Sequence, residues 1–181
     1  RVVSSGSPLT EDLLGRLQAA SDEVLQQYGC SELGCIALAR QPVGPADVGT
    51  PLSHIAIDQA GSPDQPAEWS FLSGERCVQP HDIGYRTADG RLHLLGRTDD
   101  VINVSGQKVF PYEVEQVLLR HPHIRDAVVF RTQHKIWGEA VKALIVMDAD
   151  ADTHRQEEQS DMEAVLGWCQ DYLPPYKVPS V

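Results

Sequence analysis

The stretch from Leu92 to Pro122, LHLLGRTDDVINVSGQKVFPYEVEQVLLRHP, limits the fold more than any other. It opens on the second arm of a hairpin, because ADG at 88–90 supplies a turn between DIGYRT and RLHLLGR and both arms carry strand-forming residues. After Gly96 and Arg97 comes Thr98-Asp99-Asp100, a polar turn with little side chain to pack. A Gly-containing turn then leads into a helix that starts at Pro111, repeats apolar residues at Val114, Val117 and Leu118, and stops at Pro122. The reading therefore puts a domain boundary at Thr98 to Asp100, separating residues 1–98 from 99–181.

On the near side of that boundary, residues 8–20 predict a helix with Leu13, Leu14 and Leu17 on one face, followed by a strand in EVLQQYG. CIALAR, HIAID and EWSFLS read as short strands separated by turn-forming QPVGPADVGTP and QAGSPDQP. On the far side the predicted order is turn, helix, strand (RDAVVFRT), strand (EAVKALIVMD), helix. Ser160 and Glu163 form a capping box for the last helix, with Met162, Val165, Leu166 and Cys169 on its apolar face. The acidic DADADTHRQEEQSD before it reads as a solvated loop. The fold class is thus α/β followed by a small α+β module.

Charge narrows the function. With 15 basic and 26 acidic side chains the chain carries net charge -11, which argues against nucleic acid or an anionic membrane as the main partner. No apolar run is long enough for a membrane span, and a cytoplasmic setting is expected. Cys30, Cys35, Cys77 and Cys169 match no zinc spacing and read as buried reduced thiols; His121 and His123 read as a surface turn.

Three short stretches carry residues suited to holding a nucleotide. In QQYGCSELG, Tyr28 can stack on a base, Ser31 can donate to a phosphate, and Glu32 can ligate magnesium. Asp82 in HDIGY can accept from ribose hydroxyls, and Arg97 at a strand end can donate a forked pair of hydrogen bonds. Each of these alone is more often an ordinary turn. Their order is more specific: GRTDDVINVSGQKVFPYEVE, with SSGSPL, QYGCSELG, DVGTPL, HDIGY, HKIWGEAVKALIV and LPPYKVP, resembles the superfamily of AMP-forming acyl-CoA synthetases, luciferases and adenylation domains over nearly the whole chain.

That resemblance implies a fold and a set of roles. Residues 1–98 would be the end of the large adenylate-forming domain, its β-rich subdomain, and 99–181 the small mobile C-terminal α+β domain. Ser5, Gly6, Ser7 and Pro8 would line the adenine pocket, Tyr28 would stack on the adenine, Gly29 would be among the nucleotide-binding residues, Ser31 would touch the α-phosphate, and Glu32 would hold Mg²⁺. Asp82 and Arg97 would grip the ribose, and Asp99 would be the hinge. Ser105, Gly106, Gln107 and Lys108 would face the active site in the thioester-forming pose. The implied reaction uses ATP to turn a carboxylic acid, an acyl or aryl acid by the wording QYGCSE, into an acyl-adenylate with release of pyrophosphate. Transfer to CoA or to the phosphopantetheine of an acyl carrier protein follows. The family's phosphate loop and its catalytic Lys have no counterpart in these residues, so the 181-residue chain alone is expected to be inactive and to depend on the remainder of the enzyme. Lys177 belongs to the YKVP run and is not that Lys. The segment from Trp69 to Asp82 is short for the family, and His81 stands where a Gly precedes the Asp. A catalytically degenerate nucleotide-binding module is the alternative.

Overall fold

The computed structural model describes residues 1–6, 9–148 and 155–180. Alternation of half-buried and exposed residues makes a strand, β1 (Val2–Ser5), missed in the sequence because it is only four residues long. Helix α1 (Glu11–Ala20) follows, with Thr10 as its cap: the Thr10 hydroxyl accepts from the Leu13 N–H at 3.2 Å. Leu14 is buried and Leu17 partly so, but Leu13 is exposed, because the covered stripe centres on the 14/17 side of the wheel. The chain returns as β2 (Val24–Cys30), parallel to β1, then β3 (Gly34–Arg40) and β4 (Asp47–Pro51), each antiparallel to its predecessor.

The sequence read β4 as turn, since Gly and Pro dominate QPVGPADVGTP. A buried carboxylate makes it a strand. Asp47 is fully buried, accepts from the N–H groups of Val43 and Gly49 at 2.9 Å each, and pairs with the Arg91 guanidinium. Strands β5 (Ala56–Gln59), β6 (Ala67–Glu68), β7 (Ser70–Ser73) and β8 (Arg76–Val78) follow. EWSFLS is therefore two strands, broken at Trp69, whose fully buried ring turns inward while β6 and β7 join different sheets. The hairpin expected at 82–97 forms as β9 (Asp82–Arg86) and β10 (Leu92–Arg97). One sheet runs β1-β2-β3-β4-β10-β9-β6 and another β5-β7-β8, with Tyr28, Ile36, Trp69, Phe71 and Leu92 packed in a core of this unit.

A single 3-10 turn, Thr98–Asp100, ends the first of two compact units, Arg1–Asp99 and Asp100–Val181. The second begins with a correction: the expected turn is a hairpin of β11 (Ile102–Val104) and β12 (Gln107–Val109). Ser105 and Gly106 between them have φ of 50° and 87°, the positive pair that a two-residue type I′ turn requires. Helix α2 (Pro111–Leu119) buries Val114, Val117 and Leu118 as the apolar spacing predicts. Strands β13 (Ile124–His134) and β14 (Gly138–Met147) are antiparallel, giving a sheet in the order β12-β11-β14-β13.

The last helix, α3 (Arg155–Tyr172), starts five residues before Ser160. Ser160 thus lies inside the helix rather than at its cap, and half of the expected acidic loop is helical, because Arg, Gln and Glu are good helix formers whatever their solubility. Val165 and Cys169 are fully buried against Val109, Val114 and Leu118, whereas Met162 is exposed. Cys169 is the buried cysteine; Cys77 is exposed and Cys30 and Cys35 half-buried, all four free. His121 is buried too, its ring 5.4 Å edge-on from Trp168, which roofs the end of α2. Among the described residues no helix is long and apolar enough to cross a membrane.

Candidate functional site

Strands β1 and β2 run parallel, with Ser5 opposite Gln27, so their carboxyl ends lie side by side. Crevices at such ends are where open α/β sheets take ligands. Ser5 and Gly6 are exposed at the first end; Gly29, Ser31 and Glu32 are exposed at and just beyond the second. Ser7 and Pro8 lie outside the described residues. Gly29 is required by packing rather than by φ: a Cβ there would meet the Gly34 carbonyl oxygen at 2.1 Å, so only glycine lets β2 lie this close to the start of β3.

Tyr28 is buried. Its ring lies edge-on to Trp69 at 5.3 Å and tilted to Phe71 at 6.1 Å, and its hydroxyl donates to Asp82 Oδ2 at 2.6 Å. Burial, reinforced by the adjoining carboxylate, pushes the phenol well above its ordinary range and keeps it a donor. Asp82 opens β9 directly opposite Arg97, which closes β10. Arg97 Nη1 sits 3.6 Å from Asp82 Oδ1 and donates to the Pro80 carbonyl at 3.4 Å. Burial raises the Asp82 carboxyl; the Tyr28 hydrogen bond and the Arg97 charge pull it back only in part. The first unit therefore joins three of the expected residues, Tyr28, Asp82 and Arg97, in one polar cluster. The Arg97 side chain is 53% exposed, leaving its guanidinium free to donate outward.

Glu32 is exposed in the turn between β2 and β3, and a hydrogen bond from the Cys30 thiol holds its carboxyl below the ordinary range. Burial, with Glu32 beside it, raises the Cys30 thiol. An ionised, exposed carboxylate is a chemically suitable oxygen donor for a hard divalent cation.

His81 has φ of 61°, in the left-handed region, and its Nδ1 lies 2.8 Å from Glu68 Oε1. The resemblance pointed to glycine here, and the backbone shows why glycine would suit it. Its carbonyl accepts from the Thr98 N–H at 2.8 Å, tying the corner that presents Asp82 to the residue after Arg97. Asp99 lies exposed in the 3-10 turn. Ser105, Gly106, Gln107 and Lys108 are exposed at the β11–β12 tip of the second unit. Lys177 pairs with Glu113, and Glu115 accepts from the Val129 N–H at 2.9 Å. The two glutamates of PYEVE thus fasten α2 to the C-terminal run and to β13.

Sequence reading missed Trp69, which packs edge-on to Tyr28, and Glu68, which meets His81 next to Asp82; it also missed the Asp47–Arg91 pair that holds β4. The buried aromatic beside a short strand was the one local signal available for Trp69.

Residues 113–181 match the family described as AMP-binding enzyme C-terminal domain. The chain is 38% identical over 179 residues to the 3,4-dihydroxybenzoate–aryl-carrier protein ligase of Bacillus anthracis, spanning 99% of this chain and 40% of that protein. It is 31% identical over 201 residues to the 2-succinylbenzoate–CoA ligase of Bacillus licheniformis, spanning 96% of this chain and 40% of that one. The chain thus spans about 40% of the length of these curated relatives. The fold is shared with the ATP-bound MatB structure from Rhodopseudomonas palustris, at TM-score 0.81, 20% identity, and coverage of 98% of this chain and 40% of that one. With its C-terminal domain, its fold and its motifs in agreement, the chain belongs to the superfamily of AMP-forming acyl-CoA synthetases, luciferases and adenylation domains.

Proposed function

We propose that this chain is part of an ATP-dependent ligase that adenylates a carboxylic acid and passes the acyl group to a thiol, on CoA or on a carrier-protein phosphopantetheine. The observation that carries the reading is the Tyr28–Asp82–Arg97 cluster: a carboxylate held by a buried phenol, beside an outward guanidinium, at neighbouring strand ends. Asp82 accepts from the ribose hydroxyls while Arg97 donates to them or to phosphate oxygens. Ser5, Gly6, Ser7, Pro8, Tyr28 and Gly29 form the adenine side of the site, and Ser31 donates to the α-phosphate.

In the first step a carboxylate oxygen of the acid attacks the α-phosphorus of ATP and pyrophosphate leaves. In the second, the thiol sulfur attacks the acyl carbon, gives up its proton, and AMP leaves. Glu32 would hold Mg²⁺, which when bound neutralises charge on the phosphate oxygens. Asp99 serves as the hinge between the two steps, and Ser105, Gly106, Gln107 and Lys108 form the tip that serves the second. An aryl acid is the proposed substrate class. It is supported by the 38% identity to a relative named for an aryl acid. A cytoplasmic setting is part of the same proposal.

The test is acid-dependent pyrophosphate release by the full-length protein over fatty, aryl and amino acids. Release with one aryl class is the expected result, and Asp82→Asn should raise KM for ATP by about tenfold or more. No release with any acid, in a protein that binds ATP, would replace the reading by a nucleotide-binding module without turnover.

A further inference from the structure

We propose that Glu139 is a positioning residue for the Ser105–Lys108 tip, acting in the thioester step; this rests on the reading that the tip serves that step. Strand β11 meets β14 at one register pair, Val104 with Gly138, and the ladder stops there because Gly138 turns with φ of 77°. The neighbouring backbone donor, the Asn103 N–H, is taken by a side chain instead: Glu139 Oε2 accepts it at 2.7 Å. A carboxylate acceptor makes this bond stronger than the ladder bond it replaces.

What Asn103 holds gives the contact its consequence. Its Oδ1 accepts from the Gly106 N–H at 2.8 Å, closing the turn from within, and its backbone is in register with Lys108 across the hairpin. The Ser105 N–H donates to the Trp137 carbonyl at 3.3 Å, a second tie to the β13–β14 turn. Glu139 therefore controls, through Asn103, both the closure of the turn and the position of Lys108. The tip residues are themselves exposed, so these few bonds, rather than burial, fix them.

The test uses Glu139→Ala and Glu139→Gln in the full-length protein, with three readouts. Amide exchange at Asn103, Ser105 and Gly106 should accelerate about fivefold to tenfold in the alanine variant and less in the glutamine variant, whose amide oxygen still accepts. Acid-dependent pyrophosphate release should stay within about twofold of the unsubstituted protein, since the residue does not enter that step. Thioester formation from preformed acyl-adenylate should fall about 10- to 100-fold in kcat with little change in KM for the thiol, and glutamine should restore most of it. Unchanged exchange, unchanged thioester formation, or equal loss of both half-reactions would overturn the proposal. If the unsubstituted protein releases no pyrophosphate, the ligase reading and the thioester role fall together, and the exchange rates still decide whether Glu139 holds the tip.

Discussion

The Tyr28 hydroxyl donates to Asp82 across 2.6 Å, joining residues 54 positions apart and coupling the aromatic core of the first unit to the carboxylate of the site. Burial raises the Asp82 carboxyl and this bond lowers it, so removing the bond moves the group further up. The ionised carboxylate accepts from ribose hydroxyls more strongly than the neutral acid does. ATP affinity should therefore weaken, as pH falls, at a higher pH than an ordinary aspartate would give. Tyr28→Phe should shift that loss to still higher pH, read as the pH profile of kcat/KM for ATP. Superimposable profiles would detach Tyr28 from Asp82.

Gly29→Ala places a Cβ 2.1 Å from a backbone carbonyl oxygen, which cannot swing away as a side chain would. The expected cost is about 1–3 kcal/mol, with β2 and β3 forced apart beside Ser31 and Glu32. A denaturant midpoint equal to that of the unsubstituted chain would contradict the packing argument.

His81→Gly should relieve about 1 kcal/mol of left-handed strain and lose an exposed contact to Glu68 worth at most about that amount. Stability should change little, while the corner preceding Asp82 gains freedom and KM for ATP rises. Marked destabilisation in urea would show that the Glu68 contact outweighs the strain.

Glu115 is half-buried beside β13, and this burial raises its carboxyl despite the Val129 N–H; Asp100 and Asp126 add to the rise. The folded state therefore binds the proton more tightly than the unfolded one. Its contribution to stability is greatest below the ordinary glutamate range and is lost as pH rises through the folded pKa. Glu115→Gln should stabilise the chain at neutral pH relative to its effect at acid pH. Chemical denaturation at both values measures the difference, and a pH-independent effect would exclude it.

Asp99→Pro removes an N–H and fixes φ in the turn that ends the first unit. Under the hinge proposal, pyrophosphate release persists while thioester formation is lost. Equal loss of both, in a folded protein, would remove Asp99 from that role.

The sequence alone determined the elements whose cause is local. Pro111, the Val114/Val117/Leu118 stripe and Pro122 define α2 without reference to anything else, and ADG defines the β9–β10 hairpin. The order of the motifs was enough to bring out the family, because each one is a short stretch with its own backbone demand. The tertiary structure alone decided what depends on partners far along the chain. Asp47 needs Arg91 to make QPVGPADVGTP a strand, Tyr28 needs Trp69 and Asp82 to turn its hydroxyl inward, and Asn103 needs Glu139 to shape a tip that reads as plain turn. In each case a polar group finds its counter-group 36 to 54 residues away, and a local pattern carries no trace of a pairing made at that range.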